Sequence, residues 1–190
     1  RFFIDESIPC EDQHFVDAYL AFARKIGVVE HKVSWAGVFA SMDVDWANRE
    51  LPEGFPRVGI ATTPSKNERR WSEEGYKQVI EYLVARNIFV FLFGSNGKEE
   101  VSFNAKLASC FSGKIINLTG KTTLPQWSAL ISEINLLVAP DTGCVHVARA
   151  LGTPVVGLYA VANPSLSGPY LEQAYCVSKY DEAFNKYLPG

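Results

Sequence analysis

Ile88-Phe89-Val90-Phe91-Leu92-Phe93, closed by Gly94-Ser95-Asn96-Gly97, is a run of six apolar residues with no polar alternation. A strand with one face in water alternates apolar and polar side chains, whereas a strand covered on both faces is apolar throughout. The run therefore reads as a central strand of a sheet sandwiched between helices. Upstream, Val58 to Thr62 reads as a strand and Ser72 to Arg86 as a helix with Asn87 at its end. Downstream come a helix at about Glu99 to Phe111, a strand at Ile115 to Leu118, and a helix from Pro125 to Ile134 behind the cap candidate Thr123. Leu136 to Ala139 is the next strand. Gly143 to Leu151 is a short helix stopped by Gly152, and Val155 to Tyr159 is a fifth strand.

Helical crossovers between successive strands force parallel pairing, so the pattern predicts an α/β fold with a doubly wound, mainly parallel, Rossmann-like sheet. The first fifty residues differ. Phe15, Tyr19, Phe22 and Ile26 recur at helical spacing behind the cap candidate Asp12, with Gly27 suited to the left-handed end. From His31 to Arg57 the pattern weakens, and Pro52, Gly54 and Pro56 cluster as linker residues do. The expected organisation is residues 1–55 as the end of a preceding lobe plus linker, and 56–190 as the Rossmann-like domain.

Bulk properties exclude several classes. A chain of 190 residues with 47% apolar and 21% charged side chains, at a mean hydropathy near zero, suits one main core. A net charge of -3 gives no basic stripe for nucleic acid, while leaving a small phosphate ligand open. Cys10, Cys110, Cys144 and Cys176 stand far apart with no CxxC pair, which reads as reduced thiols rather than a zinc site or disulfide scaffold. No apolar run reaches the roughly 18 to 20 residues of a membrane span. The chain opens on Arg1-Phe2-Phe3 without an initiator Met or signal pattern, and so reads as cut from a longer protein.

In doubly wound sheets ligands bind beyond the carboxyl ends of the strands. Three such ends are polar and glycine-bearing: Thr62-Thr63-Pro64-Ser65-Lys66, Gly94-Ser95-Asn96-Gly97 and Pro140-Asp141-Thr142-Gly143. All three are expected to converge on one crevice. Thr142 and Gly143 enter a helix whose free amides and positive dipole end suit a diphosphate, with Gly allowing close backbone approach. Asp141 either caps that helix or accepts from a sugar hydroxyl. His146, a turn into the helix, either faces the crevice or is structural. No G-x-G-x-x-G follows the first strand; Thr62 and Thr63 offer hydroxyls there instead, or are ordinary loop residues. Lys66, Arg69 and Arg70 either neutralise a leaving diphosphate or form a solvated basic face, and Trp71 reads as packing.

Asp141-Thr142-Gly143-Cys144-Val145-His146-Val147-Ala148, followed by Ala150-Leu151-Gly152-Thr153-Pro154, resembles the D-T-G-x-x-H-x-x-x-A-L-G-x-P signature of family 9 glycosyltransferases. Ala61-Thr62-Thr63 with Arg69-Arg70-Trp71 resembles the family's other donor loop. Asn163-Pro164 and Ser167-Gly168-Pro169-Tyr170 are similar to the segment after its last strand, most like the heptosyltransferase I members. The resemblance spans roughly residues 12 to 178. It implies one lobe of a GT-B enzyme with Thr62, Thr63, Thr142 and Gly143 on the diphosphate, Arg69 steadying the leaving group, Asp141 holding the sugar, and Glu99 or Glu100 on the ribose. Arg69 stands where heptosyltransferases often have Lys, which keeps the charge and changes its geometry. Lys66 and His146 complete the expected donor site.

The implied reaction is heptosyl transfer from ADP-heptose to a lipid-linked sugar acceptor of the lipopolysaccharide inner core. The general base would lie in the amino-terminal lobe, so this stretch alone is expected to be inactive. Neither a cofactor nor a metal is expected, and no nucleic-acid partner. The implied location is cytoplasmic, at the inner face of the bacterial inner membrane, with peripheral membrane contact through the acceptor. Two other readings remain open at this point: a nucleotide-sugar epimerase-like enzyme, and a non-catalytic nucleotide-sugar-binding module.

Overall fold

The computed structural model describes residues 7–9, 13–29, 34–35, 43–63 and 67–187. In chain order the elements are α1 (Phe15–Lys25), α2 (Val44–Glu50), β1 (Arg57–Ala61), a 3-10 turn (Asn67–Arg69), α3 (Glu73–Ala85), β2 (Phe89–Phe93), α4 (Lys98–Ser109) and β3 (Ile115–Asn117). There follow α5 (Leu124–Glu133), β4 (Leu136–Pro140), α6 (Gly143–Leu151), β5 (Val155–Tyr159), α7 (Pro164–Ser167), a second 3-10 turn (Gln173–Tyr175), β6 (Val177–Ser178) and α8 (Tyr180–Tyr187).

The sheet runs β3-β2-β1-β4-β5-β6 with every pair parallel. Strand order reverses between β1 and β4, which pair in register at Ile60 and Val138. That reversal opens a crevice at their carboxyl ends. Alternation along the strands divides the core in two. Val58, Ile60, Val90 and Leu92 face Tyr76 and Ile80 of α3 and Leu107 of α4. Ala61, Phe91, Phe93, Leu137 and Ala139 face α2, α5 and α6. The Ile88 to Phe93 run is the inner strand it was read as, with Val90, Phe91 and Leu92 fully buried.

Local chemistry fixes the helix ends as expected. Ser72 Oγ accepts from Gly75 N at 3.0 Å, Thr123 and Gln126 form a capping box, and Gly152 ends α6 at φ 81°. Gly59 has a packing role. A Cβ there would stand 2.5 Å from the Phe93 ring and 2.6 Å from Ile134 Cδ1. Gly59→Ala is therefore expected to overpack the core and cost about 1–3 kcal/mol, read as a lowered thermal midpoint; an unchanged midpoint would contradict the packing.

Several elements differ from the sequence expectations. β1 spans Arg57–Ala61, one residue earlier than expected, which leaves Thr62 just beyond its end. A sixth, two-residue strand follows the expected five. α2 occupies part of the stretch whose pattern looked weak; Asp43 caps it through Trp46 N at 3.1 Å, and Ala47 and Leu51 are buried in the α5 and α6 core. Asp12 lies outside the described residues. Within them His14 caps α1: its Nδ1 accepts from Val16 N at 3.2 Å, so its Nε2 donates to Gly168 O at 2.9 Å. Tyr170 packs on the His14 ring at 4.9 Å and donates to Asp17 Oδ1 at 2.6 Å, tying α1 to the segment after β5. The expected apolar stripe of Phe15, Tyr19, Phe22 and Ile26 stays exposed. No helix among the described residues is long and apolar enough to cross a membrane.

Candidate functional site

A cavity of about 610 Å³ opens at the carboxyl ends of β1, β2 and β4. Ala61 and Thr63 form its floor beside β1, and Gly94, Ser95 and Gly97 one wall. Thr122, Leu124 and Trp127 form the opposite wall, and Cys144 of α6 closes it. Arg69, Asp141, Thr142, Gly143 and His146 stand outside that wall, joined to it through Cys144 in the first turn of α6.

The start of α6 is open. Thr142 is extended at φ -146° and ψ 168° and its side chain caps nothing. Its Oγ1 is buried without a hydrogen-bond partner. Gly143 is exposed, and nothing lies within 4 Å of where a Cβ would stand. A nine-residue helix with an uncapped first turn, a buried hydroxyl in search of a partner and free space over its first residue is well suited to an anion. Asp141 does not serve as the helix cap. It is 7% exposed, and its Oδ2 pairs with Arg69 Nη1 at 2.8 Å. A buried carboxylate needs such a partner, and the pair also offsets the repulsion that Asp141 would exert on an incoming phosphate. Arg69 Nε is buried and has no acceptor, so the guanidinium keeps a donor in reserve.

Thr62 departs from its expected role. It is fully buried, and its hydroxyl donates inward to Asn104 Oδ1 at 2.5 Å, away from the cavity. The reason is strand alternation: Thr62 continues the face of Val58 and Ile60, which looks toward α3 and α4, while Ala61 and Thr63 look toward the cavity. Lys66 lies outside the described residues. Trp71 packs edge-on against Tyr76 at 5.2 Å, as expected.

Glu99 and Glu100 both line the cavity and do different work. Glu100 Oε2 accepts from Ser95 N at 2.9 Å and Ser95 Oγ at 2.6 Å, bracing the loop after β2. Gly94 makes room for this, since a Cβ there would lie 2.6 Å from Glu100 Oε1. Glu99 makes a 2.9 Å pair with Arg70 and is largely exposed, so it can change partners at little cost.

His146 is exposed at the residue level, yet desolvation of its ring lowers its pKa, with His14 acting in the same sense and Asp141 in the opposite one. The surroundings thus favour the neutral ring. Burial raises the Cys144 pKa, partly offset because the Thr142 hydroxyl, which makes no hydrogen bond to the neutral thiol, can donate to the thiolate; Cys110 is exposed. The thiolate is the reactive form. Iodoacetamide at mildly alkaline pH should therefore label Cys110 well before Cys144, as read by peptide mass spectrometry; equal rates would contradict the burial.

Asn104, Trp127 and Cys144 belong to the site without being singled out by the strand-end and motif patterns. Asn104 had a usable signal, since it shares the buried face of α4 with Leu107. Trp127 and Cys144 come to the cavity only through packing of α5 and α6.

An open parallel sheet with a loop-built crevice at its switch point and an uncapped helix N-terminus defines a Rossmann-like lobe suited to an anionic ligand. The chain belongs to glycosyltransferase family 9, the heptosyltransferase family, whose model matches residues 2–187. It is 35% identical over 173 residues to the lipopolysaccharide core heptosyltransferase OpsX of Haemophilus influenzae, which covers 91% of this chain and 50% of that protein. It is 33% identical over 109 residues to lipopolysaccharide heptosyltransferase 2 of Escherichia coli K12, covering 56% of this chain and 31% of the relative. A solved family 9 glycosyl transferase from Veillonella parvula shares the fold at a TM-score of 0.75 and 22% identity, over 100% of this chain and 56% of that one. Escherichia coli heptosyltransferase WaaC with ADP does so at 0.70 and 20%, over 93% and 53%. The chain thus spans half or less of the curated relatives described. Its fold is that of one lobe of these GT-B glycosyltransferases.

Proposed function

We propose that this chain is the donor lobe of a lipopolysaccharide heptosyltransferase and holds ADP-heptose over the start of α6. The observation that carries the reading is the conjunction at that start: the partnerless Thr142 hydroxyl, the open space over Gly143, and the Arg69–Asp141 pair beside them. The diphosphate accepts from the α6 amides and the Thr142 hydroxyl. Thr63 flanks it, and His146 lies one turn away. The nucleoside extends into the cavity, with Glu99 against the ribose. Asp141 accepts from a sugar hydroxyl.

In the transfer step the acceptor hydroxyl oxygen bonds to the anomeric carbon as that carbon's bond to the diphosphate oxygen breaks and the diphosphate leaves. Positive charge develops on the carbon and negative charge on the leaving group. Preorganised donors act best on charge that appears only in the transition state, and the α6 amides and Arg69 are those donors here. A carboxylate outside this lobe takes the acceptor proton. In this account residues 1–55 close the preceding lobe and lead into the donor domain of residues 56–190, with α2 docked on the latter. The acceptor is a lipid-linked sugar of the inner core, which brings the enzyme to the cytoplasmic face of the membrane.

Calorimetric titration of the chain with ADP, UDP and GDP tests the donor assignment. The reading predicts saturable binding with ADP preferred. Preference for UDP or GDP would overturn the choice of donor, and absence of binding to all three by the folded chain would overturn the donor-lobe reading.

A further inference from the structure

We infer that Asn104 is a positioning residue for the nucleotide site: from inside α4 it holds together the ends of β1, β2 and β3, three of the four strands whose following residues line the cavity. This rests on the donor-lobe reading for its functional consequence, while its geometry stands apart from it. Asn104 is fully buried, as is Thr62, and Thr119 is 4% exposed. A buried amide is costly unless its hydrogen bonds are made, and here all are directed at strand ends. Asn104 Nδ2 donates to Phe93 O, the last residue of β2, at 3.3 Å, and to Thr119 Oγ1, just beyond β3, at 2.7 Å. Asn104 Oδ1 accepts from Thr62 Oγ1, just beyond β1, at 2.5 Å.

The polarity of this network is fixed. Phe93 O can only accept, so the amide nitrogen must face it and the amide oxygen must face Thr62. Thr62 then spends its proton on Asn104. In the 3.2 Å contact between the two threonine hydroxyls, Thr63 is left as the donor and Thr62 as the acceptor. Each strand end also leads directly into a cavity wall: Thr62 into Thr63, Phe93 into Gly94 and Ser95, Thr119 into Thr122. The second and third are joined again by Gly120 N donating to Gly94 O at 3.0 Å.

The test compares Asn104→Leu, Thr119→Val and Thr119→Ser with Leu107→Ala, which empties the same helix's core contact without touching the network. Amide hydrogen exchange of residues 94–97 and 119–123 and calorimetric ADP affinity are measured on each folded variant. Asn104→Leu and Thr119→Val should exchange at least tenfold faster there and bind ADP at least fivefold more weakly. Thr119→Ser, which keeps the hydroxyl, should match the parent, and Leu107→Ala should lose thermal stability without losing ADP affinity. If Thr119→Val keeps parental exchange and affinity, or if Leu107→Ala reproduces its losses, the positioning role is overturned. If the parent itself binds no ADP, the donor-lobe reading fails, and the exchange rates alone still decide whether Asn104 holds the loops.

Discussion

Arg69→Ala is expected to damage both stability and nucleotide binding, and Asp141→Asn in the same chain should restore most of the first and only the part of the second that came from the unmasked carboxylate. Removing the guanidinium strands a carboxylate that is 7% exposed, and breaking a buried pair from one side costs about 3–5 kcal/mol. Because the Arg69 side chain is 26% exposed, the loss should fall at the lower end, about 3 kcal/mol, a drop of roughly 6–12 °C in the thermal midpoint for a domain of this size. ADP affinity should fall about ten- to a hundredfold, the range of one charge-assisted hydrogen bond. Neutralising Asp141 removes the stranded charge and should return most of the midpoint. It cannot return the donor that Arg69 offered to the diphosphate. Full recovery of ADP affinity as well as stability in the double variant would mean that Arg69 serves Asp141 alone.

Gly143→Asp should separate the two properties in the opposite way. Nothing crowds a side chain at Gly143, and a carboxylate in the first turn of α6 complements the helix dipole by about 0.3–1 kcal/mol. The midpoint should hold or rise. The same carboxylate occupies the space assigned to the diphosphate, and two charges about 4 Å apart near a protein surface repel by about 4 kcal/mol. ADP affinity should drop by roughly a hundredfold or more. A stable variant that still binds ADP as the parent does would remove the diphosphate from this helix end.

Both predictions depend on long-range placement that the sequence conveyed unevenly. The five main strands were readable because burial on both faces demands uninterrupted apolar runs, as at Phe89–Phe93. Helix ends were readable where a cap sits within three residues of its target, as with Ser72 and Thr123. α2 was not, because Val44, Ala47 and Leu51 become an apolar face only against α5 and the sheet. A two-residue edge strand such as β6 leaves almost no pattern to read. The site shows the same division. The open start of α6 followed from the chain itself, whereas the partner of Asp141 did not, since Arg69 reaches it from the far side of the strand-order reversal. Thr62 and Thr63 look alike as residues. Only their phase relative to Ile60 separates the inward hydroxyl from the cavity one, and that phase was present in the strand pattern.

Amide chemical-shift mapping of the 15N-labelled chain during ADP titration shows directly whether a nucleoside diphosphate sits on the first turn of α6. The account predicts that the Gly143 and Cys144 amides move most and saturate with the bound fraction, while those of Gly27 and Gly113 stay still. Saturable ADP binding that leaves Gly143 and Cys144 unmoved would place the phosphates elsewhere and contradict it.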